Sequence, residues 1–314
     1  MIFIKKPNLI IGHLSTAYHT NFILMNSHEL EKDLNAKIKW ILFGTGPEMV
    51  QAFKNGQLDI GYMGLTPAII GIDKKVPIKC IAGGHIEGTI MIAKSNYKTL
   101  ADLNNNLHDT FSQFVEKIIG VPSKGSIHDV ILSHYLHELK LLNDIEVRNY
   151  SQAEFIATDM EKGLIQGGVG TPSLAIFAST ILDSQLIIPA ETLWPNNPSY
   201  GIFSRENYIK NNSDLIEKFL VFHKDASNLL RKSPDQAAEI ISKTFKLLNR
   251  KYVKSVLKIS PKYCIALSEE YIKATMDFVD TLYQLGYIAT KLDFKDIFIL
   301  DFVNKIHPEP HHYK

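Results

Sequence analysis

Between Asn8 and Tyr200, short β-rich runs alternate with segments of helical period, and this order leaves few folds open. Strands separated by helices pair in parallel through crossover connections and build an α/β sheet with helices on its faces. Strands are expected at residues 8–12, 38–43, 58–62, 78–82 and 89–93. The clearest intervening helix covers 47–55. Pro47 suits its first position, Met49, Val50 and Phe53 share one face, and Gly56 supplies a left-handed stop. A second α/β set follows: strand 117–121, helix 127–141, strand 145–150, helix 153–162, and strands 166–170 and 185–189. From Asp214 the period becomes helical, with helices at 214–231, 234–248 and 268–285, each opened by a Ser or Asp cap or an N-terminal Pro.

Size and composition fit that layout. The 314 residues correspond to two domains, and 45% hydrophobic content suffices for their cores. Lys and Arg total 34 against 33 Asp and Glu, a formal charge of +1 with no long block of one sign, so no nucleic-acid partner is expected. The expected partner is a small molecule. Cys80 and Cys264 are too few for a disulfide scaffold or a thiolate zinc cluster and read as buried thiols. No stretch reaches the 18 apolar residues of a membrane span. Residues 1–7 lack the basic start and apolar run of a secretory leader, so either a leader has been removed or the protein stays inside the cell.

Cofactor and nucleophile signatures fail on the residues. GVPSKGS (120–126) places Lys124 before Gly125, which is not the P-loop order, and GVGTPS (168–173) has Ser173 where a dinucleotide fingerprint needs Gly or Ala. No cofactor is expected. There is no G-x-S-x-G elbow and no thiol-protease context, so no catalytic residue is assigned. Ser126 with Asp129 approximates a capping box, and a helix start beside Lys124 suits an anion as well as it suits an ordinary cap. His134 and His137 lack a partner that would complete a metal spacing, and HPEPHHYK (307–314) reads as a loose tail, so no closed metal site is expected. His85 lies in GGHIEG, where Gly83, Gly84 and Gly88 leave room either for a ligand or for a hinge. Tyr18, Tyr62, Trp194 and Tyr200 fall at loops or strand ends, where aromatic residues line clefts or cap the local core.

The runs IIGHLSTAYHTNFIL, GTGPEMVQAFKNGQLDIGYMGLTPAIIG, IKCIAGG, TLADL and IGVPSKGSIHDVILSHYL, in this order, resemble the substrate-binding proteins of ABC importers for nitrate, sulfonates and taurine. That family also holds the pyrimidine-binding and pyrimidine-synthesising proteins of thiamine metabolism. The resemblance covers about residues 8–205 and implies a type 2 periplasmic-binding-protein-like fold of two α/β lobes, a hinge of two crossover segments and a ligand in the cleft between them. It implies residues 1–94 as the first part of lobe 1, 95–200 as lobe 2, and 201–314 as the crossover back, through YGIFS, with the C-terminal helices.

Carried over by position, the ligand would meet Ser15, Thr16, Tyr18 and His19 after the first strand, and Met63, Gly64, Leu65 and Thr66 after the third. Gly83, Gly84 and His85 would pass the cleft at the first crossover. Lobe 2 would give Ser123, Lys124, Gly125 and Ser126, then Gly170, Thr171 and Pro172, with Trp194 or Tyr18 covering a planar face. Lys124 and the Ser126 helix start would hold an acidic group. The implied protein is a monomeric solute-binding protein, not an enzyme, for a small anionic or heteroaromatic compound. If exported it would serve an ABC permease outside the cytoplasm. Residues 104–117 exceed the usual link at that point. The rival readings are a leaderless cytosolic enzyme of the thiamine-pyrimidine or menaquinone type and an intracellular ligand sensor. The thiamine-pyrimidine type lacks its lysine: Met63 and Pro67 stand where that subfamily has its pyridoxal-binding turn.

Overall fold

The computed structural model describes residues 8–314, so the leader reading of residues 1–7 lies outside the described residues. Each run expected to be a strand forms one. The chain begins with β1 (Asn8–His13), α1 (Asn21–Leu24), α2 (Leu30–Asp33), β2 (Lys37–Leu42), α3 (Gly46–Lys54), β3 (Ile60–Met63), α4 (Leu65–Asp73) and β4 (Ile78–Ile86). It continues with β5 (Ile90–Lys94), α5 (Leu107–Ser112), β6 (Ile118–Pro122), α6 (Ile127–Glu138), β7 (Glu146–Tyr150), α7 (Ala153–Glu161), β8 (Gly167–Gly170), α8 (Pro172–Ile181) and β9 (Ser184–Ile188). Then come β10 (Pro198–Arg205), α9 (Glu206–Asn211), α10 (Ser213–Lys232), α11 (Pro234–Thr244), α12 (Arg250–Ile259), α13 (Glu269–Gln284), α14 (Phe294–Ile297) and α15 (Asp301–Ile306).

These strands form two sheets, ordered β2-β1-β3-β10-β4 and β7-β6-β8-β5-β9. In the first, β1 pairs in parallel with β2, from Asn8↔Lys37 to His13↔Leu42, and with β3, while β10 enters antiparallel between β3 and β4. In the second, β6 pairs in parallel with β7 and β8, and β5 enters antiparallel between β8 and β9. Each sheet therefore receives one antiparallel strand directly after a crossing. The chain changes sheets between Ile86 and Ile90, N-terminal of the expected boundary at Lys94, and returns between Ile188 and Pro198. Apolar runs do not reveal which sheet they join. The two-sheet α/β arrangement with its helical C-terminal third is the periplasmic-binding-protein fold implied above.

Two of the helices missed in the sequence, α4 and α8, share a cause. In α4, Leu65 to Ile69 are all buried, and α8 (PSLAIFASTI) is apolar along most of its length, so neither shows an amphipathic stripe. The extra length at residues 104–117 folds as α5: Asn106 caps it by accepting from the Asp109 amide, and Phe111 and Phe114 are fully buried. The terminal HPEPHHYK is not a loose tail either. Its Tyr313 is buried and donates from Oη to the Cys264 carbonyl at 2.7 Å. One hydrophobic core runs from the first sheet through the C-terminal helices, and a smaller one lies between β5 and the helices α7 and α8. Among the described residues, no helix is long and apolar enough to cross a membrane.

Candidate ligand-binding cleft

A cavity of about 470 Å³ opens between the two sheets. It lies where the strand ends turn into helices, and the N-cap residues of five helices line it: Thr45 of α3, Gly64 of α4, Ser126 of α6, Gln152 of α7 and Thr171 of α8. The first turn of a helix presents amides without intrahelical partners and a partial positive charge. The first sheet contributes two such ends and the second contributes three, so a ligand between them faces converging dipoles.

Two of these caps are internally satisfied: Thr45 Oγ1 accepts from the Glu48 amide and Ser126 Oγ from the Asp129 amide. Gly64, Gln152 and Thr171 make no side-chain cap, leaving the first-turn amides of their helices without one. Among the described residues, no Lys or Arg lines the cavity, and the one charged residue there is Glu154, exposed in the first turn of α7.

Buried polar atoms in folded proteins nearly always have hydrogen-bond partners. Three belonging to residues that line this cavity have none among the described residues: His19 Nδ1, Ser123 Oγ and Ser173 Oγ. His19 is fixed by packing, its ring centroid 4.0 Å from that of Tyr200 and 5.3 Å from that of Tyr18. Burial, then the neighbouring His85, His13 and His223, hold its pKa well below the usual imidazole range, so it meets a ligand as a neutral ring. His128, on α6, shares a 2.9 Å hydrogen bond with Thr89 Oγ1, and burial lowers its pKa to about 3. Tyr18 Oη lies 3.1 Å from Ser199 Oγ, joining the β1–α1 loop to the second crossing.

Of the residues named from the sequence, Ser15, Thr16, Tyr18, His19, Gly64, Ser123, Ser126 and Thr171 line the cavity. The others stand outside its wall. Met63 is fully buried, and Thr66 sits inside α4 and donates to the Gly125 carbonyl at 3.2 Å. The Gly125 amide is taken by Asp129 Oδ2 at 2.8 Å, so it is not free for a ligand. Lys124 is exposed, its ammonium 6.0 Å from the Tyr287 ring centroid. Gly83, Gly84 and His85 belong to β4 rather than to an open loop. A Cβ at Gly84 would stand 2.1 Å from the Tyr200 ring, and His85 stacks behind Tyr18 with Nε2 against the Ser260 carbonyl. Gly170 faces Leu174, and Trp194 stacks on Phe278 at 4.2 Å between centroids.

Sequence reasoning passed over the β2–α3 turn, with Phe43, Gly44, Thr45 and Gly46, and the β7–α7 turn, with Ser151, Gln152 and Glu154. Both carried a readable signal. Each joins an expected strand end to an expected helix start, which is where open α/β sheets place ligands.

The fold recurs in solved structures. The periplasmic aliphatic sulphonate binding protein SsuA from Escherichia coli superposes with a TM-score of 0.78 over 94% of this chain and 92% of that one, at 19% identity. The periplasmic nitrate-binding protein NrtA from Synechocystis PCC 6803 does so with a TM-score of 0.76 over 97% and 89%, at 10% identity. By sequence, a Bacillus subtilis relative named provisionally as an aliphatic sulfonates-binding protein is 24% identical over 270 residues, 86% of this chain and 78% of its own. Residues 4–244 match the NMT1-like family, most of the chain's length, and the chain belongs to that family.

Proposed function

We propose that this protein is the solute-binding component of an ABC importer, that it captures a small organic anion of the sulfonate class in the cleft between its sheets, and that it releases the anion unaltered. The carrying observation is the set of three unpartnered buried polar atoms, His19 Nδ1, Ser123 Oγ and Ser173 Oγ, on a wall formed by five helix N-termini. An oxyanion accepts several hydrogen bonds at once, and helix-start amides with hydroxyl donors supply them without a counter-charge. Leu14, Leu42, Phe43, Pro67, Pro122 and Ile127 on the same wall suit the carbon tail of such an anion. The names of the relatives, for sulfonates and nitrate, support this class. The fold's two crossings supply the hinge that closes over the ligand, and delivery to a membrane permease outside the cytoplasm follows from that role.

Titration calorimetry of the purified chain with alkanesulfonates, taurine, nitrate and aminopyrimidines tests the reading. Saturable one-site binding of a sulfonate, recovered chemically unchanged, is expected. Binding of none of these anions, or recovery of an altered compound, overturns it.

A further inference from the structure

The C-terminal segment folds back over the loop that follows α12. There Cys264 Sγ lies 3.0 Å from His307 Nε2 and 3.6 Å from His312 Nδ1, and the three atoms fall within 4.8 Å of one another. We propose that Cys264, His307 and His312 bind a divalent metal ion of the zinc class, which fastens the C-terminal segment to the strand that enters the hinge.

The ligand set is chemically coherent. One thiolate and two imidazoles suit a borderline-soft ion, and zinc sites with three protein ligands keep a fourth position for water. With Zn–S of about 2.3 Å and Zn–N of about 2.0–2.1 Å, tetrahedral geometry places sulfur and nitrogen about 3.5 Å apart. The two S···N separations here lie on either side of that value.

The surroundings match a metal site's outer contacts. His307 turns Nε2 toward the sulfur, while its Nδ1 lies 2.8 Å from Glu309 Oε1 outside hydrogen-bond alignment, within reach of the carboxylate–histidine pairing that orients a ligating ring. Glu309 is itself held by the Lys224 ammonium at 2.6 Å. The Ala266 amide donates to Cys264 Sγ at 3.5 Å, which stabilises negative charge on the sulfur. A second cavity, lined by Glu270, Asn304, His307, Glu309 and His311, opens beside His307 and gives solvent access.

The same segment reaches the hinge. Tyr313 Oη bonds the Cys264 and Ala266 carbonyls, and the Gly83 amide donates to the Ile265 carbonyl. Gly83 lies in β4, the strand from which the chain crosses to the second sheet. A metal at Cys264 therefore braces that strand through residues 264–266.

Cobalt(II) titration of the full chain, after chelator treatment, tests the proposal. One equivalent should give the intense d–d absorption of a tetrahedral site with thiolate-to-cobalt charge transfer, and zinc should displace it. Cys264→Ser should abolish the charge transfer, and His312→Ala should weaken cobalt binding at least tenfold. Zinc should raise the melting temperature of the parent chain but not of His312→Ala. His312 lies near the chain surface, so this variant keeps the test open if Cys264→Ser does not fold. His108→Ala, on exposed α5, should behave as the parent. Octahedral cobalt spectra, charge transfer persisting in Cys264→Ser, or equal zinc response in parent and His312→Ala would each overturn the site. Sulfonate binding is measured in a separate titration, so failure of one reading does not carry the other.

Discussion

The Lys262 ammonium stands 2.7 Å from the Glu87 carboxylate at the point where the chain leaves the first sheet for the second. Glu87 is 4% exposed and has φ of 58°, and its amide donates to the Asn197 carbonyl of the return crossing. The residue that begins one crossing is thus tied to the other crossing and to the C-terminal third. Lys262→Ala would leave a buried carboxylate unpaired. Because Lys262 is partly exposed, the expected loss is about 1–3 kcal/mol rather than the larger cost of a fully buried pair. Urea unfolding measures it, and an unchanged midpoint would show that the pair does not hold the hinge.

Helix-start amides and hydroxyls, not Lys124, are expected to carry anion affinity. Lys124 is exposed and outside the cavity wall, so Lys124→Ala should change sulfonate affinity by less than about 0.5 kcal/mol, as for a remote surface charge. Ser173→Ala should weaken it by about 0.5–1.5 kcal/mol, the net worth of one hydrogen bond. Calorimetry on both variants decides, and the reverse ranking would place the anion elsewhere in the cleft.

Glu154 is the one charge on the cavity wall among the described residues, and its sign opposes an anionic ligand. Glu154→Gln should strengthen sulfonate binding by about 0.2–1 kcal/mol, with the gain shrinking as salt is added. Weaker binding in the variant would point to a cationic solute.

Stability should fall as the solution is acidified from neutral. His85 and His223 are fully buried, and desolvation lowers both to about 4 from the ordinary 6.5. His223 is satisfied as a neutral ring, with Nε2 on the Gly83 carbonyl at 2.8 Å and Nδ1 on Thr20 Oγ1 at 2.7 Å. Their folded-state pKa values lie below the unfolded ones, so the unfolded chain takes up protons first. The stabilisation is complete above about pH 6.5 and drains away as pH drops toward 4, by a few kcal/mol overall. Urea midpoints at pH 8, 6.5 and 5 should decline in that order; a flat profile would mean these rings are not kept neutral.

Gly88 has no space for a side chain at the first crossing. A Cβ there would meet Ser199 Oγ at 2.1 Å and Tyr18 Oη at 2.8 Å, the pair that joins the β1–α1 loop to the second crossing. Gly88→Ala should cost about 1–3 kcal/mol, the range for overpacking a filled site. It should also weaken ligand binding, because Tyr18 lines the cleft. Parallel unfolding and calorimetry would check both effects, and a variant as stable as the parent would contradict the packing.

The amino-acid order by itself determined the strands, most of the longer helices and the α/β class, because these rest on local period, caps and glycine stops that act within a few residues. It also located the β1–α1, β3–α4, β6–α6 and β8–α8 turns, four of the six that line the cleft. Tertiary structure alone decided which side chains of those turns reach the cavity. Gly125 and Lys124 sit beside Ser123, yet the Gly125 amide is drawn to Asp129 and Lys124 swings to the surface near Tyr287. His85 lies in a glycine-rich run but is pulled into β4 by pairing with β10. Cys264, His307 and His312 meet only because α15 returns the terminal segment to the first sheet, a contact between distant residues that no local pattern carries.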